Sequence, residues 1–326
     1  MEKLTDKFGR EIDYLRLSVT DRCNLRCTYC MPERGLQFSP KEHLLTYEEL
    51  LHLVDILGSV GVNKVRITGG EPFVRADLIS FLRSLSERPF LKKINITSNI
   101  TLIRPYLDEL ENLGITEINV SLDSLEKKNF QLITRRDEFE EVERSLYEMI
   151  ERGFNLKVNC VVMKGLNEQQ IMPLLGLAKE HPVSVRFLEE MPFNGSGELK
   201  RDVMDYREIL SHIEETFAYT KLIDEPSSTS MNYRIEGFRG SFGVIPSFSR
   251  TFCGTCNRLR LSSTGEIRTC LYGKEALNLK DMLREGAAEE AIKEALKIAV
   301  QNKPVDGFAA AEENEHSYSS MTTLGG

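Results

Sequence analysis

The sequence predicts an α/β protein built on a partial (βα)6 TIM-type barrel, followed by a C-terminal extension of different character. Three observations carry this expectation. Six short apolar runs alternate with segments of helical period over the first two-thirds of the chain, the pattern of a parallel sheet joined by right-handed crossovers. The chemically distinctive segments follow these runs, where βα barrels place their functional loops. The last third shows no further strand–helix pair.

Strands are expected at Tyr14 to Val19, Lys64 to Thr68, Lys93 to Thr97, Thr116 to Leu122, Asn155 to Met163 and Val183 to Leu188. Helices are expected at Tyr47 to Val60, Ala76 to Glu87, Leu102 to Leu113, Glu138 to Arg152 and Glu168 to Glu180. Thr46 followed by Glu49 reads as a capping box, and Asn167 with Gln170 gives the same signal before the fifth helix. The polar loop Pro192 to Asp202 and the Ser/Thr/Pro-rich stretch Asp224 to Asn232 lead into two short strands, Arg258 to Ser263 and Glu266 to Thr269. The expected division is a core over residues 1–222 and an extension over residues 223–326. Within the extension, the acidic, alanine-rich Ala309 to Glu315 reads as a mobile linker.

A chain of 326 residues with 41% hydrophobic content can form one large domain, or one with an appendage. The segment Met1 to Tyr14 has no apolar h-region and no apolar run is long enough to span a bilayer, so a soluble, cytoplasmic protein is expected. A net charge of -8 argues against nucleic acid or an anionic membrane as partner, since both need a basic footprint. Seven cysteines, six of them in two tight clusters, fit metal ligation in a reducing compartment better than a disulfide framework. Cys160, inside the apolar run Val158 to Met163, is expected to pack as a small buried side chain.

The first cluster, Cys23-Asn-Leu-Arg-Cys27-Thr-Tyr-Cys30, spaces its thiols C-x3-C-x2-C directly after the first strand. Three is the informative number. Structural zinc sites close with four protein ligands and ordinary iron–sulfur clusters take four cysteines, so three leave a metal position open to a small molecule. A zinc or redox loop with its fourth ligand elsewhere is the competing account. The second set, Cys253, Cys256 and Cys270, is spaced C-x2-C-x13-C. It reads equally as a zinc ribbon lacking a ligand or as a second open cluster; His181, His212 and His316 are all distant in sequence.

Gly69-Gly70-Glu71-Pro72 follows the second strand; its glycines permit close backbone approach to a ligand, and Pro72 suits the start of a turn or helix. Thr97-Ser98-Asn99 and Ser121-Leu122-Asp123 end the third and fourth strands with small polar side chains. Arg16, Arg66, Lys157 and Arg186 are each a single cation within an apolar strand. One such residue would suggest a solvated face. Parallel barrel strands have no wet face, so four must share the lumen. Unpaired buried charge is costly, and these cations call for an anion. Asp123 or Glu189 could supply part of it. A polyphosphate would supply it more fully, because guanidinium forks match phosphate oxygens and Lys157 adds a point charge.

The C-x3-C-x2-C loop, with Tyr29 just before its last cysteine, resembles the radical S-adenosylmethionine (SAM) enzymes. The resemblance implies that Cys23, Cys27 and Cys30 hold a 4Fe-4S cluster whose fourth iron is chelated by SAM, with Tyr29, Gly70, Ser121 and Met191 at the SAM positions. The Cys-x2-Cys-x-Arg-x-Arg segment from Cys253 to Arg260, Cys270 and the terminal Gly325-Gly326 extend the resemblance. From about Leu15 onward the chain is similar to the GTP 3',8-cyclase family of molybdenum cofactor biosynthesis. That similarity implies a second 4Fe-4S cluster on Cys253, Cys256 and Cys270, holding the guanine at its open iron. Arg16, Arg66, Thr97, Lys157, Arg258 and Arg260 fall on the family's GTP positions, and Arg186 is a further candidate.

The implied reaction makes 3',8-cyclo-7,8-dihydro-GTP from GTP, through a 5'-deoxyadenosyl radical that abstracts the 3' hydrogen. Implied partners are an electron donor such as flavodoxin or ferredoxin and the next enzyme, cyclic pyranopterin monophosphate synthase, with the chain a monomer or homodimer. The Gly-Gly tail is implied to thread toward the active site, although a frayed end is the ordinary fate of such a terminus. Two departures stand out: His316 to Leu324 carries no Arg or Lys, and Ile100 follows Asn99 where the family usually has glycine. A peptide-modifying radical SAM enzyme would commonly bring more auxiliary cysteines and a peptide-recognition segment. A noncatalytic module would hold zinc at both cysteine sets.

Overall fold

A period of two builds the centre of the fold. In β1 (Tyr14–Ser18) and β2 (Lys64–Thr68), Leu15, Leu17, Val65 and Ile67 are fully buried on one face, while Tyr14, Arg16, Lys64 and Arg66 fall on the other. The computed structural model describes residues 3–195, 199, 202–314 and 320–324. His316 and the Gly325-Gly326 tail lie outside the described residues.

β3 (Lys93–Ser98), β4 (Glu117–Ser121), β5 (Asn155–Val162) and β6 (Ser184–Glu189) continue the sheet in consecutive parallel order from β1. All six expected strands are therefore present. The parallel run is longer than expected, however. β9 (Ser241–Ile245) joins parallel to β6, and β10 (Arg258–Leu261) joins parallel to β1. Antiparallel edges finish the sheet: β8 (Met231–Ile235) and β7 (Tyr219–Lys221) beyond β9, and β11 (Glu266–Arg268) and β12 (Leu277–Asn278) beyond β10. The expectation that no strand–helix pair follows β6 thus fails, since α7 (Tyr206–Glu214) and a hairpin intervene before β9 returns to the same sheet.

Helices cover the outer face. α1 (Tyr47–Ser59) starts at the expected capping box, in which Glu49 N donates to Thr46 Oγ1 at 3.2 Å and Thr46 N donates to Glu49 Oε2 at 2.7 Å. Leu50, Leu53, Val54 and Leu57 then form its buried stripe at helical spacing. α2 (Leu78–Ser86) begins two residues later than predicted because Asp77 adopts φ 59°, outside the helical region. α3 (Leu107–Asn112) is preceded by a 3-10 turn at Arg104–Tyr106 that contains Pro105. α4 (Lys127–Thr134), which the pattern did not reveal, precedes α5 (Phe139–Glu151). α6 (Ile171–Glu180) has no Asn167 cap. Asn167 Oδ1 instead accepts from Met163 N at 2.7 Å, and its Nδ2 donates to the carbonyls of Asp123 and Val161, each at 3.0 Å. The side chain is spent tying two strand ends together.

α8 (Leu279–Arg284) and α9 (Glu289–Gln301) pack beside α1. The expected mobile linker, Ala309 to Glu315, is helical from Ala309 to Glu313 as part of α10 (Gly307–Glu313), capped by Asp306 and with Ala310 and Ala311 buried; Glu315 lies outside the described residues. Alanine is the best helix former and is small enough to pack closely, so its enrichment there marks a buried helix face. Ala310 and Ala311 belong to a small second core with Phe193, Tyr272 and Leu324, the last in α11 (Met321–Leu324).

Candidate functional site

One cavity of about 750 Å³ is lined by inward residues of all six strands β1–β6, so the sheet curves around it. Register explains its charge. Arg16 aligns with Arg66 on β2 and with Arg260 on β10, and Tyr14 aligns with Lys64 and Arg258. Lys157 and Arg186 follow on β5 and β6 with the same inward parity, so the single cations of the apolar strands do share one chamber.

Their partners differ from those expected. Lys157 Nζ donates to Glu117, a carboxylate on the neighbouring strand. Asp123 instead accepts from the Tyr29 hydroxyl at 2.9 Å and from Val161 N at 2.8 Å. Glu189 accepts from the backbone N–H groups of Tyr206, Phe248 and Ser249 at 2.6–2.8 Å, holding the loop that leads toward Cys253. Both carboxylates are consumed by loop architecture. Burial pushes Asp123 up to about 6. Burial also lowers Arg186 and Arg260 to about 10, and neighbouring arginines add to the effect at both.

Tyr14 sits within the cationic wall. Arg66 Nε donates to its hydroxyl, Lys64 Nζ lies 4.6 Å from its ring centroid, and the Arg258 guanidinium lies 5.8 Å away. Burial opposes its ionisation, yet the charges of Arg66, Arg16 and Lys64 outweigh it and bring Tyr14 down to about 8. Several buried polar atoms facing the cavity have no hydrogen-bond partner among the described residues: Arg66 Nη1, Thr97 Oγ1, Asn119 Oδ1, Asn159 Oδ1 and Arg186 Nε. Such orphans are rare in a finished interior and suit a polar, charged ligand.

Cys23, Cys27 and Cys30 line the same cavity, after the carboxyl end of β1. The last turn of α4 holds their loop, with Arg26 N donating to the Thr134 carbonyl at 2.9 Å and Thr28 N to the Ile133 carbonyl at 3.0 Å. Gly69 and Gly70 brace it from the other side. A Cβ on Gly70 would come within 2.3 Å of the Arg22 carbonyl oxygen, and one on Gly69 within 2.5 Å of the Thr20 carbonyl oxygen. These glycines are thus required by packing against the approach to Cys23. Glu71 locks the turn by accepting from Asn99 N at 2.7 Å, Ser98 Oγ at 2.9 Å and Phe73 N at 3.1 Å, while burial pushes it up to about 7. The Ile100 departure is also intelligible: this buried residue has φ 56°, a left-handed conformation that glycine adopts without strain.

Cys253, Cys256 and Cys270 line the cavity too, together with Arg258 and Arg260. Burial raises Cys253 as it does the thiols of the first triad, and Cys256 stands apart. Burial pushes Cys23 up to about 12 and Cys30 to about 11. At Cys256 burial is opposed by Lys303 and Arg258, and the thiol lies below its ordinary value. Among the described residues no three His, Cys, Asp or Glu side chains converge closely enough to grip a single ion.

Every sequence-predicted site residue lines this one cavity, Tyr29, Gly70, Ser121, Met191 and Thr97 included. Sequence reasoning missed Tyr14, Lys64, Asn119 and Asn159. Each lies two residues from a residue already singled out (Arg16, Arg66, Ser121 and Lys157), so inward parity was the available signal.

The curved parallel sheet with a three-cysteine loop after its first strand defines a class, and residues 17–178 match the radical SAM superfamily. Residues 183–308 match the family described as Molybdenum Cofactor Synthesis C. The GTP 3',8-cyclase of Syntrophomonas wolfei subsp. wolfei is 37% identical over 99% of this chain and 100% of its own length. Molybdenum cofactor biosynthesis protein 1 of Bos taurus is 43% identical over 92% of this chain, which spans about half (48%) of that longer protein. Among solved structures, SuiB of Streptococcus suis bound to S-adenosylmethionine matches with a TM-score of 0.59 over 88% of this chain and 69% of that one. At 16% identity, that likeness is one of fold. The chain belongs to the radical SAM family of GTP 3',8-cyclases.

Proposed function

We propose that this chain is a GTP 3',8-cyclase, a radical SAM lyase that converts GTP to 3',8-cyclo-7,8-dihydro-GTP. The observation that carries the reading is the shared chamber: two three-cysteine sets open onto one cavity whose wall is lined with cations. The open sheet acts as a partial (βα)6 barrel over residues 1–222, and residues 223–326 contribute the second cysteine set. Each set suits a 4Fe-4S cluster. Three thiols would each bind one iron of such a cluster and leave the fourth iron open.

When bound, the first cluster and SAM supply the reductive cleavage that generates the 5'-deoxyadenosyl radical, and the hard chemistry is theirs. The chain's residues position and shield. Cys23, Cys27 and Cys30 would hold the first cluster, and Tyr29, Gly70, Ser121 and Met191 would fix SAM beside it. Cys253, Cys256 and Cys270 would hold the second, which leaves an iron for the guanine. Arg16, Arg66, Lys157, Arg186, Arg258 and Arg260 bind the triphosphate, with Thr97 as a neutral donor. Triphosphate charge replaces mutual repulsion among these cations with charge-assisted hydrogen bonds. Anchoring the distant end of the nucleotide holds its ribose within reach of the radical, the entropic part of catalysis. The sheet and its covering loops keep water and competing hydrogen donors away.

The setting follows from the chemistry. Free thiols and low-potential clusters fit a cytoplasmic location, an electron donor such as flavodoxin or ferredoxin, and delivery of the product to a cyclic pyranopterin monophosphate synthase. Among the described residues no helix is long and apolar enough to cross a membrane. Anaerobic incubation of the iron-loaded chain with GTP, SAM and a reductant tests the reading. It predicts the cyclised nucleotide together with 5'-deoxyadenosine; SAM cleavage stimulated by peptides and indifferent to GTP would replace it.

A further inference from the structure

The second thiol triad is enclosed by a brace made from both ends of the chain. Lys303 lies in the turn after α9 and is 2% exposed. Its Nζ donates to the carbonyl of Thr269, next to Cys270, and to the carbonyl of Arg258 at 3.3 Å, two residues past Cys256. Among the described residues it makes no ion pair with a carboxylate. One and two residues further on, the carbonyls of Pro304 and Val305 accept from Arg10 at 2.6 and 2.8 Å, and Arg10 also reaches the Cys253 carbonyl at 3.0 Å. Arg10 is neutralised by Asp6 at 2.5 Å, within an N-terminal loop closed by the Thr5–Glu11 bridge. Every cysteine-bearing segment of the second set is therefore gripped through a backbone carbonyl by a buried cation.

The two cations are not equivalent. Arg10 has its carboxylate, whereas Lys303 among the described residues has carbonyl dipoles alone, and a buried ammonium without an opposing charge is costly. We propose that Lys303 is the internal counter-charge of the Cys253–Cys256–Cys270 site: a positioning residue that joins the Cys256 and Cys270 segments and raises the reduction potential of the centre they hold. Arg10, whose charge is paired with Asp6, performs mainly the mechanical part, at Cys253. This rests on the reading that an iron–sulfur centre occupies that triad. Reduction adds negative charge to such a centre, so a fixed positive charge nearby favours the reduced state.

Redox titration of the anaerobic, iron-loaded full chain, followed by electron paramagnetic resonance of both centres, tests it. Lys303→Gln keeps two N–H donors and loses the charge, and Lys303→Arg keeps the charge. The expected result is a second-centre midpoint moved to more negative potential in Lys303→Gln, unmoved in Lys303→Arg, with the first centre unaffected in both. Lys303→Met provides the same charge loss without donors and should shift the midpoint the same way. A second-centre midpoint that ignores removal of the charge overturns the proposal. Wild-type protein with no second-centre signal would instead defeat the functional reading beneath it.

Discussion

Arg16 and Arg260 are register partners across the parallel pair β1–β10, although they come from opposite ends of the chain. Burial lowers Arg16 well below its ordinary value, and Arg260 is the next largest cause. Two like charges are thereby held side by side in the cavity wall, a geometry that an anion would stabilise. Arg260→Ala should weaken GTP binding about 10- to 100-fold, the worth of charge-assisted hydrogen bonds of about 1.5–3 kcal/mol. Isothermal titration with GTP checks this, with iron content as the control. Unchanged affinity at full iron content would remove Arg260 from the phosphate site.

Tyr14 gives the cavity a pH dependence. Its acidity is displaced from the ordinary 10.0 to about 8 by Arg66, Arg16 and Lys64 acting against burial. A lowered folded value means that the phenolate stabilises the fold fully above the unfolded value, and that this contribution is lost as pH falls through about 8. A phenolate also competes with phosphate for Arg66. GTP affinity should therefore decline as pH rises past about 8, and Tyr14→Phe should abolish that decline. Phenolate difference absorbance follows the titration directly; an ionisation near the ordinary tyrosine value would contradict it.

Gly70 tests the brace beneath the first cysteine loop. Alanine there would force a Cβ to 2.3 Å from the Arg22 carbonyl, and backbone cannot yield as a side chain tip can. Overpacking of this kind costs about 1–3 kcal/mol. Gly70→Ala should lose iron from the Cys23–Cys27–Cys30 site while the second site keeps its own. Iron analysis with paramagnetic resonance separates the two, and full occupancy of both would show that the contact relaxes harmlessly.

Serine in place of Cys23 or of Cys270 should dissect the iron content. About eight irons per chain are expected from two four-iron clusters, falling to about four in either variant. Only Cys23→Ser should abolish reductive cleavage of SAM. Full iron content in either variant would remove that cysteine from the ligand set.

Much of this was legible in sequence because the strands β1–β6 obey local rules. Apolar runs, turn residues and the Thr46–Glu49 box each act over a few residues. The inward cations were legible for the same reason: Arg16, Arg66, Lys157 and Arg186 each interrupt an apolar strand. What escaped depends on distance. β9 escaped, and β10 was expected as a short strand at Arg258 to Ser263 but not as a parallel partner of β1; both pair with strands far away along the chain, which no local period reveals. Nothing local in the sequence singles out Glu117, Arg10 or Lys303; only the fold brings Glu117 to Lys157 and the other two to the second triad. Asn167 carried a capping signal and used its side chain elsewhere, because the carbonyls of Asp123 and Val161 lay within reach.

The central claim is that one chamber brings a radical source to the ribose of GTP. Incubating the reduced, iron-loaded chain with SAM and GTP deuterated at the ribose 3' carbon tests this most directly. The account predicts deuterium in the 5'-deoxyadenosine that is released. Label retained in recovered GTP while unlabelled 5'-deoxyadenosine accumulates would contradict it.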